Sequence, residues 1–300
     1  MVNLVNLGSV ALDTVKTPFG EVKETIGGSG VYFSLGASFF TKPGLISVVG
    51  RDFPKTCLNL LEKKGVCLKG VRFSEKKTLR WHAYYEYDMN EAHTVKLEAE
   101  IFEDFGLDIP EDYRDAKYVF LGNIDPEIQI EMLERMKNPK FSVLDSMNYW
   151  IEKKRSKVLK AIGMVDMLLL NEAEIRELFK TPNFVSAAKK ALSKGPKFVL
   201  VKKGEHGAVL FSDGVYFFTP GYPLETVKDP TGAGDSFAGG FLGWVAKTDN
   251  ISEVNLRKAV VYGSVIASYN AEDFSINKLK KLNETDIKRR YQEFKKLVYF

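Results

Sequence analysis

The 300-residue chain holds only two cysteines and three histidines. Cys57 and Cys67 have no histidine near them, so they match no zinc signature, and so few thiols exclude a disulfide-stapled scaffold. His82, His93 and His206 are scattered, which argues against a histidine-built metal centre and against a Ser-His-Asp triad. Long apolar runs are missing too. The longest, from Met164 to Leu170, is interrupted by Asp166 and is far too short to cross a bilayer. The formal charge of +4 is spread along the chain, without the basic, aromatic-interleaved stripe of a nucleic-acid binder. The N-terminus lacks a basic n-region, and its apolar stretch is broken by Asn3, Asn6 and Asp13. It reads as a first strand, not a signal peptide, and a cytoplasmic protein in a reducing compartment is expected. There is no Pro- or Ser-rich linker, no internal repeat and no low-complexity tract. No Gly-Lys dipeptide occurs, so there is no P-loop. Gly28 and Gly30 are followed by Phe33, and Gly232 and Gly234 by Phe237, where a dinucleotide fingerprint would place its third glycine. Asp104-Phe105-Gly106 imitates a protein-kinase metal motif without the catalytic loop that would give it meaning.

What is present is ordinary globular material, 45% hydrophobic and 27% charged, in a chain long enough to bury a sizeable core. Short apolar runs at 2–7, 45–49, 118–121, 141–145, 167–170 and 198–201 alternate with helix-like segments at 31–40, 55–64, 126–137, 152–162, 172–179 and 185–193. Continuous apolar strands separated by helices predict a mostly parallel sheet covered on both faces, an α/β fold in three layers. After Thr231 the pattern turns to consecutive helices, at 234–247, 254–268 and 284–297. Residues 14–25 and 78–96 alternate in strand fashion and are rich in Thr, Val and Tyr, which predicts a small β lid outside the main sheet. In the second of these, Trp81, Ala83, Tyr85 and Tyr87 fall on one face. One domain over residues 1–300, with the lid inserted, is the economical reading.

The chemistry concentrates in Asp229-Pro230-Thr231-Gly232-Ala233-Gly234-Asp235. Small residues just before a helix let backbone N–H groups converge beside the positive end of the helix dipole, an anion site. Asp235 sits in the first turn, where its carboxylate can reach a hydroxyl placed next to that anion. Phosphoryl transfer needs those two things, N–H donors and a proton acceptor for the attacking oxygen. Gly239 and Gly240 give the helix a smooth face, for close packing or a ligand.

This run resembles the C-terminal signature of the ribokinase-like, PfkB-type carbohydrate kinases, which move the γ-phosphate of ATP to a hydroxyl of a sugar, nucleoside or related polyol. The resemblance covers nearly the whole chain and implies the ribokinase-like form of the three-layer α/β/α fold. By it, Asp235 is the catalytic base, and Gly232, Ala233 and Gly234 form the anion hole. Asp13, after Gly8-Ser9, would bind acceptor hydroxyls. Gly27, Gly28 and Ser29 would form the di-glycine loop at the acceptor, with Tyr32 where sugar-specific members often carry Asn. Asn171 and Glu174 match the Asn-x-x-Glu element that places magnesium and phosphate indirectly. Lys202, Lys203, Gly204 and Gly207 resemble the nucleotide-side loop; Thr231 also falls to the ATP side, and Ser264 stands where relatives often carry an Asn near the adenine. Pro230 departs from the Thr common in sugar-specific members. The resemblance implies ATP and Mg²⁺ as cofactors, leaves a monovalent cation open, and offers the lid strands as a homodimer contact. The missing Asn and the aromatic lid lean toward a nucleoside; Arg80 and Arg51 are faint candidates for clamping a sugar phosphate. The alternative is a non-catalytic sugar- or nucleotide-sensing protein on the same fold.

Overall fold

Runs of Val, Leu, Ile and Phe without polar alternation form strands only where both faces are covered, and in the computed structural model, which describes residues 2–298, such runs build the centre of the molecule. The strands are β1 (Leu4–Leu7), β2 (Ala11–Thr17), β3 (Gly20–Gly27), β4 (Pro43–Gly50), β5 (Cys67–Ser74), β6 (Leu79–Tyr85), β7 (Ala92–Glu98), β8 (Tyr118–Leu121), β9 (Phe141–Leu144), β10 (Met167–Asn171), β11 (Phe198–Lys202), β12 (Ala208–Ser212) and β13 (Val215–Thr219). A nine-stranded sheet runs in the order β13-β12-β11-β10-β9-β8-β1-β4-β5. It is parallel from β5 to β11 and closes with the antiparallel pairs of β11, β12 and β13.

Alternate residues of the same strands feed two different cores. Val5, Leu7, Val119, Leu121, Leu168 and Leu170 pack with the helices Pro126–Arg135, Arg155–Ile162, Glu172–Phe179 and Phe184–Leu192. Leu4, Phe120, Val143 and Leu169 face the other way, onto Phe33, Phe237, Phe241 and Val260 of the helices Ser29–Ser38, Ala233–Thr248 and Glu253–Ala271. The second layer is unusually close-fitting. A Cβ on Gly239 would lie 2.2 Å from the Phe33 carbonyl oxygen, and one on Gly243 would lie 2.9 Å from Ala37 Cα. Gly239 therefore serves helix packing, not ligand approach.

The lid is a four-stranded sheet, β3-β2-β6-β7, in which β2 and β6 run parallel with Asp13 beside Trp81. The two expected stretches thus become four strands. Tyr87 lies beyond the end of β6 and is 90% exposed, so it does not share the inner face with Ala83 and Tyr85. The helix expected over 152–162 is two helices, Asn148–Lys153 and Arg155–Ile162, broken where Lys154 leaves helical geometry at φ −132°. Three strands were not anticipated. β5 is an edge strand whose Lys69 and Arg72 interrupt its apolar pattern, and β12 and β13 form a hairpin on the turn Asp213-Gly214.

Candidate active site

In an open parallel sheet, ligands bind beyond the carboxyl ends of the strands, and the chemistry-bearing residues collect there. Gly8 and Ser9 follow β1, Asp145 follows β9, Asn171 ends β10 and Lys202 ends β11, with Asn171 and Lys202 paired in register. Facing them is the start of the Ala233–Thr248 helix. Its N-cap, Gly232, has φ 73°, and a Cβ there would stand 2.3 Å from the Tyr32 ring, so both conformation and space demand glycine. The preceding turn is pinned from three sides. Asp229 Oδ1 accepts the Thr231 N–H at 2.9 Å, Asp229 Oδ2 accepts the Ser275 N–H at 3.1 Å, and Asn270 Nδ2 donates to the Thr231 carbonyl at 2.7 Å. The Ala233 N–H donates to the Pro230 carbonyl at 3.0 Å, so of the three residues expected to hold an anion Ala233 has its amide engaged in the turn itself. Helix N-terminal amides lack partners of their own and carry the positive end of the dipole.

Asp235, in the first helical turn, is pushed up to about 7 by burial and by the carboxylate of Asp145, against the pull of Lys202. Across from it, Lys202 Nζ donates to Asp145 Oδ2 at 2.8 Å, and a Cβ on Gly234 would lie 3.0 Å from the same nitrogen. Burial works against the Lys202 charge, yet Asp145, Glu174 and Asp235 together raise it above the ordinary ammonium value. Burial likewise raises Glu174 and Asp145, each held down by Lys202. Three carboxylates thus surround one ammonium beside the helix N-terminus.

The lid and the di-glycine loop, where the acceptor is expected, lie together beside this turn. Gly28 has φ 93°, with no room for a Cβ, which would meet the Ser9 carbonyl oxygen at 2.5 Å. Ser9 and Ser29 exchange hydrogen bonds: each hydroxyl accepts the other residue's backbone N–H at 3.1 Å. Asp13 is 3% exposed and lies against Gly27, where a Cβ would fall 1.8 Å from its Oδ2. Its carboxyl is pushed up to about 8 by burial and by Asp229 and Asp235, against the Gly28 N–H. Tyr32 is buried, its ring against Gly232 and its hydroxyl without a hydrogen-bond partner. From the lid, Tyr85 reaches the same turn, its phenol oxygen accepting from Thr231 Oγ1 at 3.2 Å.

Where the nucleotide is expected, Asn171 and Glu174 form a capping box. Asn171 Oδ1 accepts the Glu174 N–H at 2.8 Å and Glu174 Oε2 accepts the Asn171 N–H at 2.7 Å, which orients the glutamate beside Lys202. Lys203 is turned elsewhere, paired with Glu172 and lying 4.3 Å from the Phe184 ring centroid. Gly204 (φ 56°) and Gly207 (φ 88°) bound a one-turn loop, in which a Cβ on Gly207 would lie 2.0 Å from the Thr219 carbonyl oxygen. Ser264 is buried, 6% exposed, within the Glu253–Ala271 helix. Of the two arginines considered for a phosphate clamp, Arg80 is held by two carboxylates and Arg51 lies at the surface. Arg80 pairs with Glu24 and Asp52 at 2.8 Å each, and Arg51 pairs with Glu75 at the surface.

Sequence reading passed over Asp145, Ser275 and Asn270 and assigned no role to Asp229. Asp145 carried a usable signal: it closes an apolar strand run at the end where ligands bind. Ser275 and Asn270 carried none, since only the fold brings them to residues some forty positions earlier.

The pfkB family carbohydrate kinase model matches residues 5–279. The chain is 32% identical over 248 residues to the cytidine kinase of Thermococcus kodakarensis, covering 81% of this chain and 88% of that one. It is 25% identical over 276 residues to a nucleoside kinase of Methanothermobacter thermautotrophicus, covering 90% of this chain and 86% of that one. The fold superposes on the Burkholderia thailandensis nucleoside kinase solved with inosine at a TM-score of 0.76, with 16% identity and coverage of 97% and 98%. The chain belongs to the pfkB family of carbohydrate kinases, and it is a phosphotransferase of the ribokinase-like fold. Kinases of this family use ATP. Among the described residues, no helix is long and apolar enough to cross a membrane.

Proposed function

We propose that the protein transfers the γ-phosphate of ATP to a hydroxyl of a nucleoside, with Asp235 as the base. The observation that carries this reading is the placing of Asp235. A carboxylate pushed up to about 7 stands at a helix N-terminus, between the Lys202 ammonium and the acceptor-side Asp13. A base with that affinity takes a proton from the attacking hydroxyl and releases it near neutral pH. The Gly232 and Gly234 amides and Lys202 hold the phosphoryl charge that develops as the bond to ADP lengthens. Asp13 and the Gly27–Gly28 backbone orient the acceptor.

The acceptor is neutral. Its end of the site holds Asp13, Asp229 and Asp235 and the phenols of Tyr32 and Tyr85, Arg80 is committed to Glu24 and Asp52, and Arg51 is a surface residue. A phosphorylated sugar would meet repulsion there. Similarity to the cytidine and nucleoside kinases favours a nucleoside over a free sugar.

Magnesium fits the donor set. Asp145, Glu174 and Asp235 crowd the single ammonium among them and each is raised above the ordinary carboxylate range, a proton-holding that a divalent cation would replace. Among the described residues, no three acidic, histidine or cysteine side chains are close enough to bind an ion directly. Asp145 and Glu174 would hold it through water together with the ATP phosphates, the habit of an ion that dehydrates reluctantly. When bound, it would neutralise phosphate charge. No residue is assigned to a monovalent cation.

The test is ATP consumption with Mg²⁺ against nucleosides, pentoses, hexoses and their phosphates. Phosphorylation of a nucleoside and rejection of its 5′-monophosphate are expected. A sugar phosphate as the best acceptor overturns the assignment.

A further inference from the structure

The lid is tied to the anion-binding turn by hydrogen bonds that no feature of phosphoryl transfer requires. Thr17 Oγ1, at the end of β2, donates to the Lys228 carbonyl at 2.9 Å. Ser275, whose N–H is held by Asp229 of that turn, donates through Oγ to the Ile26 carbonyl of β3 at 2.5 Å. Thr231 Oγ1 donates to the Tyr85 phenol oxygen, at the end of β6, at 3.2 Å. The β6–β7 turn extends the contact to the nucleotide side, where a Cβ on Gly204 would lie 3.4 Å from Asn90 Oδ1. One hairpin therefore touches both the turn before the catalytic helix and the loop after β11.

Of these bonds, the one to Tyr85 is different in kind. Thr17 and Ser275 bond backbone carbonyls, which stay wherever the main chain stays. Thr231 and Tyr85 join two side chains, one from the lid and one from the residue next to Gly232. Thr231 is already held by its N–H on Asp229 and by its carbonyl under Asn270, so its hydroxyl is the remaining handle on this residue. Burial raises the Tyr85 phenol, and Asp229, Asp13 and Asp235 add to that, so it stays protonated and neutral in a site crowded with carboxylates.

We propose that Tyr85 is a positioning residue: through the Thr231 hydroxyl it couples closure of the lid over the acceptor to the geometry of the anion-binding turn. The proposal rests on the nucleoside-kinase reading for its catalytic consequence, though not for the bond itself. With the latch made, water is kept from the phosphoryl group and the acceptor hydroxyl is the nucleophile at hand. With the latch lost, the lid opens more often. Water then competes for the γ-phosphate, giving ADP and inorganic phosphate in place of ADP and phosphorylated acceptor.

Two measurements on the full chain decide it. The first is amide hydrogen exchange in the free protein, which needs no substrate. In Tyr85→Phe the ring stays and only the hydroxyl goes, and exchange across 79–85 is expected to quicken about fivefold, the worth of one net hydrogen bond. Thr231→Val should match it, Thr231→Ser should restore wild-type exchange, and the double variant should add nothing to either single one. Lid exchange unchanged in Tyr85→Phe overturns the latch. The second is the ratio of ATP hydrolysed to acceptor phosphorylated, which should rise at least fivefold in Tyr85→Phe, whereas a ratio within twofold of wild type overturns the coupling. If the wild-type protein phosphorylates no nucleoside at all, the functional reading falls, and the exchange measurement still decides the latch.

Discussion

Lys202 and Asp145 meet at 2.8 Å with side chains only 15% and 4% exposed, an ion pair sealed into the floor of the site where β9 and β11 end. Such a pair is costly to assemble and costlier to break, because removing one partner strands the other's charge away from water; breakage costs about 3–5 kcal/mol. Lys202→Met and Asp145→Asn should each lower the melting temperature by roughly 5 °C or more. The double variant should recover most of that loss, because neither charge is stranded. Phosphoryl transfer should not recover, because Lys202 is assigned to the phosphates. Melting curves and turnover on the four proteins separate the two roles. Additive destabilisation in the double variant would show that the pair is not a unit, and restored turnover would remove Lys202 from the chemistry.

As the proposed base, Asp235 must be ionised to take a proton, and its affinity is pushed up to about 7. Transfer should therefore fall as the pH drops below about 7, with kcat/KM losing about tenfold for each unit well below it. Asp235→Asn keeps the shape of the side chain but removes the base. Turnover should fall by about 10³-fold or more while nucleoside binding by calorimetry stays within a few-fold. A variant that keeps most of the wild-type turnover would falsify the assignment.

Asp13 also makes stability depend on pH. Its folded-state affinity is about 8, far above the ordinary carboxylate value, because burial, Asp229 and Asp235 all disfavour its charge. Below about pH 4 the carboxyl is protonated folded and unfolded alike, and no penalty exists. As the pH rises toward 8, the unfolded chain gives up this proton freely and the folded chain does not, so stability drains away over that window. Asp13→Asn mimics the protonated acid at every pH. Its melting temperature should match wild type near pH 4 and exceed it by about 2 °C or more at pH 8. A difference that is constant across this range would mean that Asp13 is not the group responsible.

How much of this was legible in the sequence depends on whether the signal was local. The parallel sheet and its flanking helices were readable, because apolar runs and helical periods are properties of neighbours in the chain. So was the loop before Asp235, whose small residues mark the turn locally, although the Tyr32 ring that bars a Cβ at Gly232 comes from a distant stretch of the chain. The break at Lys154 was not readable, since nothing in the helical pattern of 152–162 marks it. β5 was lost for a different reason: an edge strand needs only one good flank, and its lysine and arginine blurred the pattern. The site's electrostatics were the least accessible. Asp13, Asp145 and Asp235 come from three distant stretches, and only folding brings their charges into mutual range. Lys203 illustrates the converse, since it stands beside Lys202 in sequence yet turns to Glu172 and the Phe184 ring.

Gly27 and Asp13 provide the sharpest probe of the acceptor side. A Cβ on Gly27 would fall 1.8 Å from Asp13 Oδ2, so Gly27→Ala must displace that carboxylate. Gly27 is not among the glycines with positive φ, so the substitution strains no backbone torsion and acts through this contact. Asp13 is assigned to the acceptor and has no part in holding ATP. The KM for the nucleoside should therefore rise by about tenfold or more, while the KM for ATP stays within twofold. Melting temperature, read in parallel, shows whether the fold has been kept. An increase shared equally by both substrates would mean that Gly27 shapes the whole cleft, and an unchanged nucleoside KM in a folded variant would take Asp13 out of acceptor recognition. A displaced carboxylate at this one position is what ties a glycine in β3 to the choice of substrate.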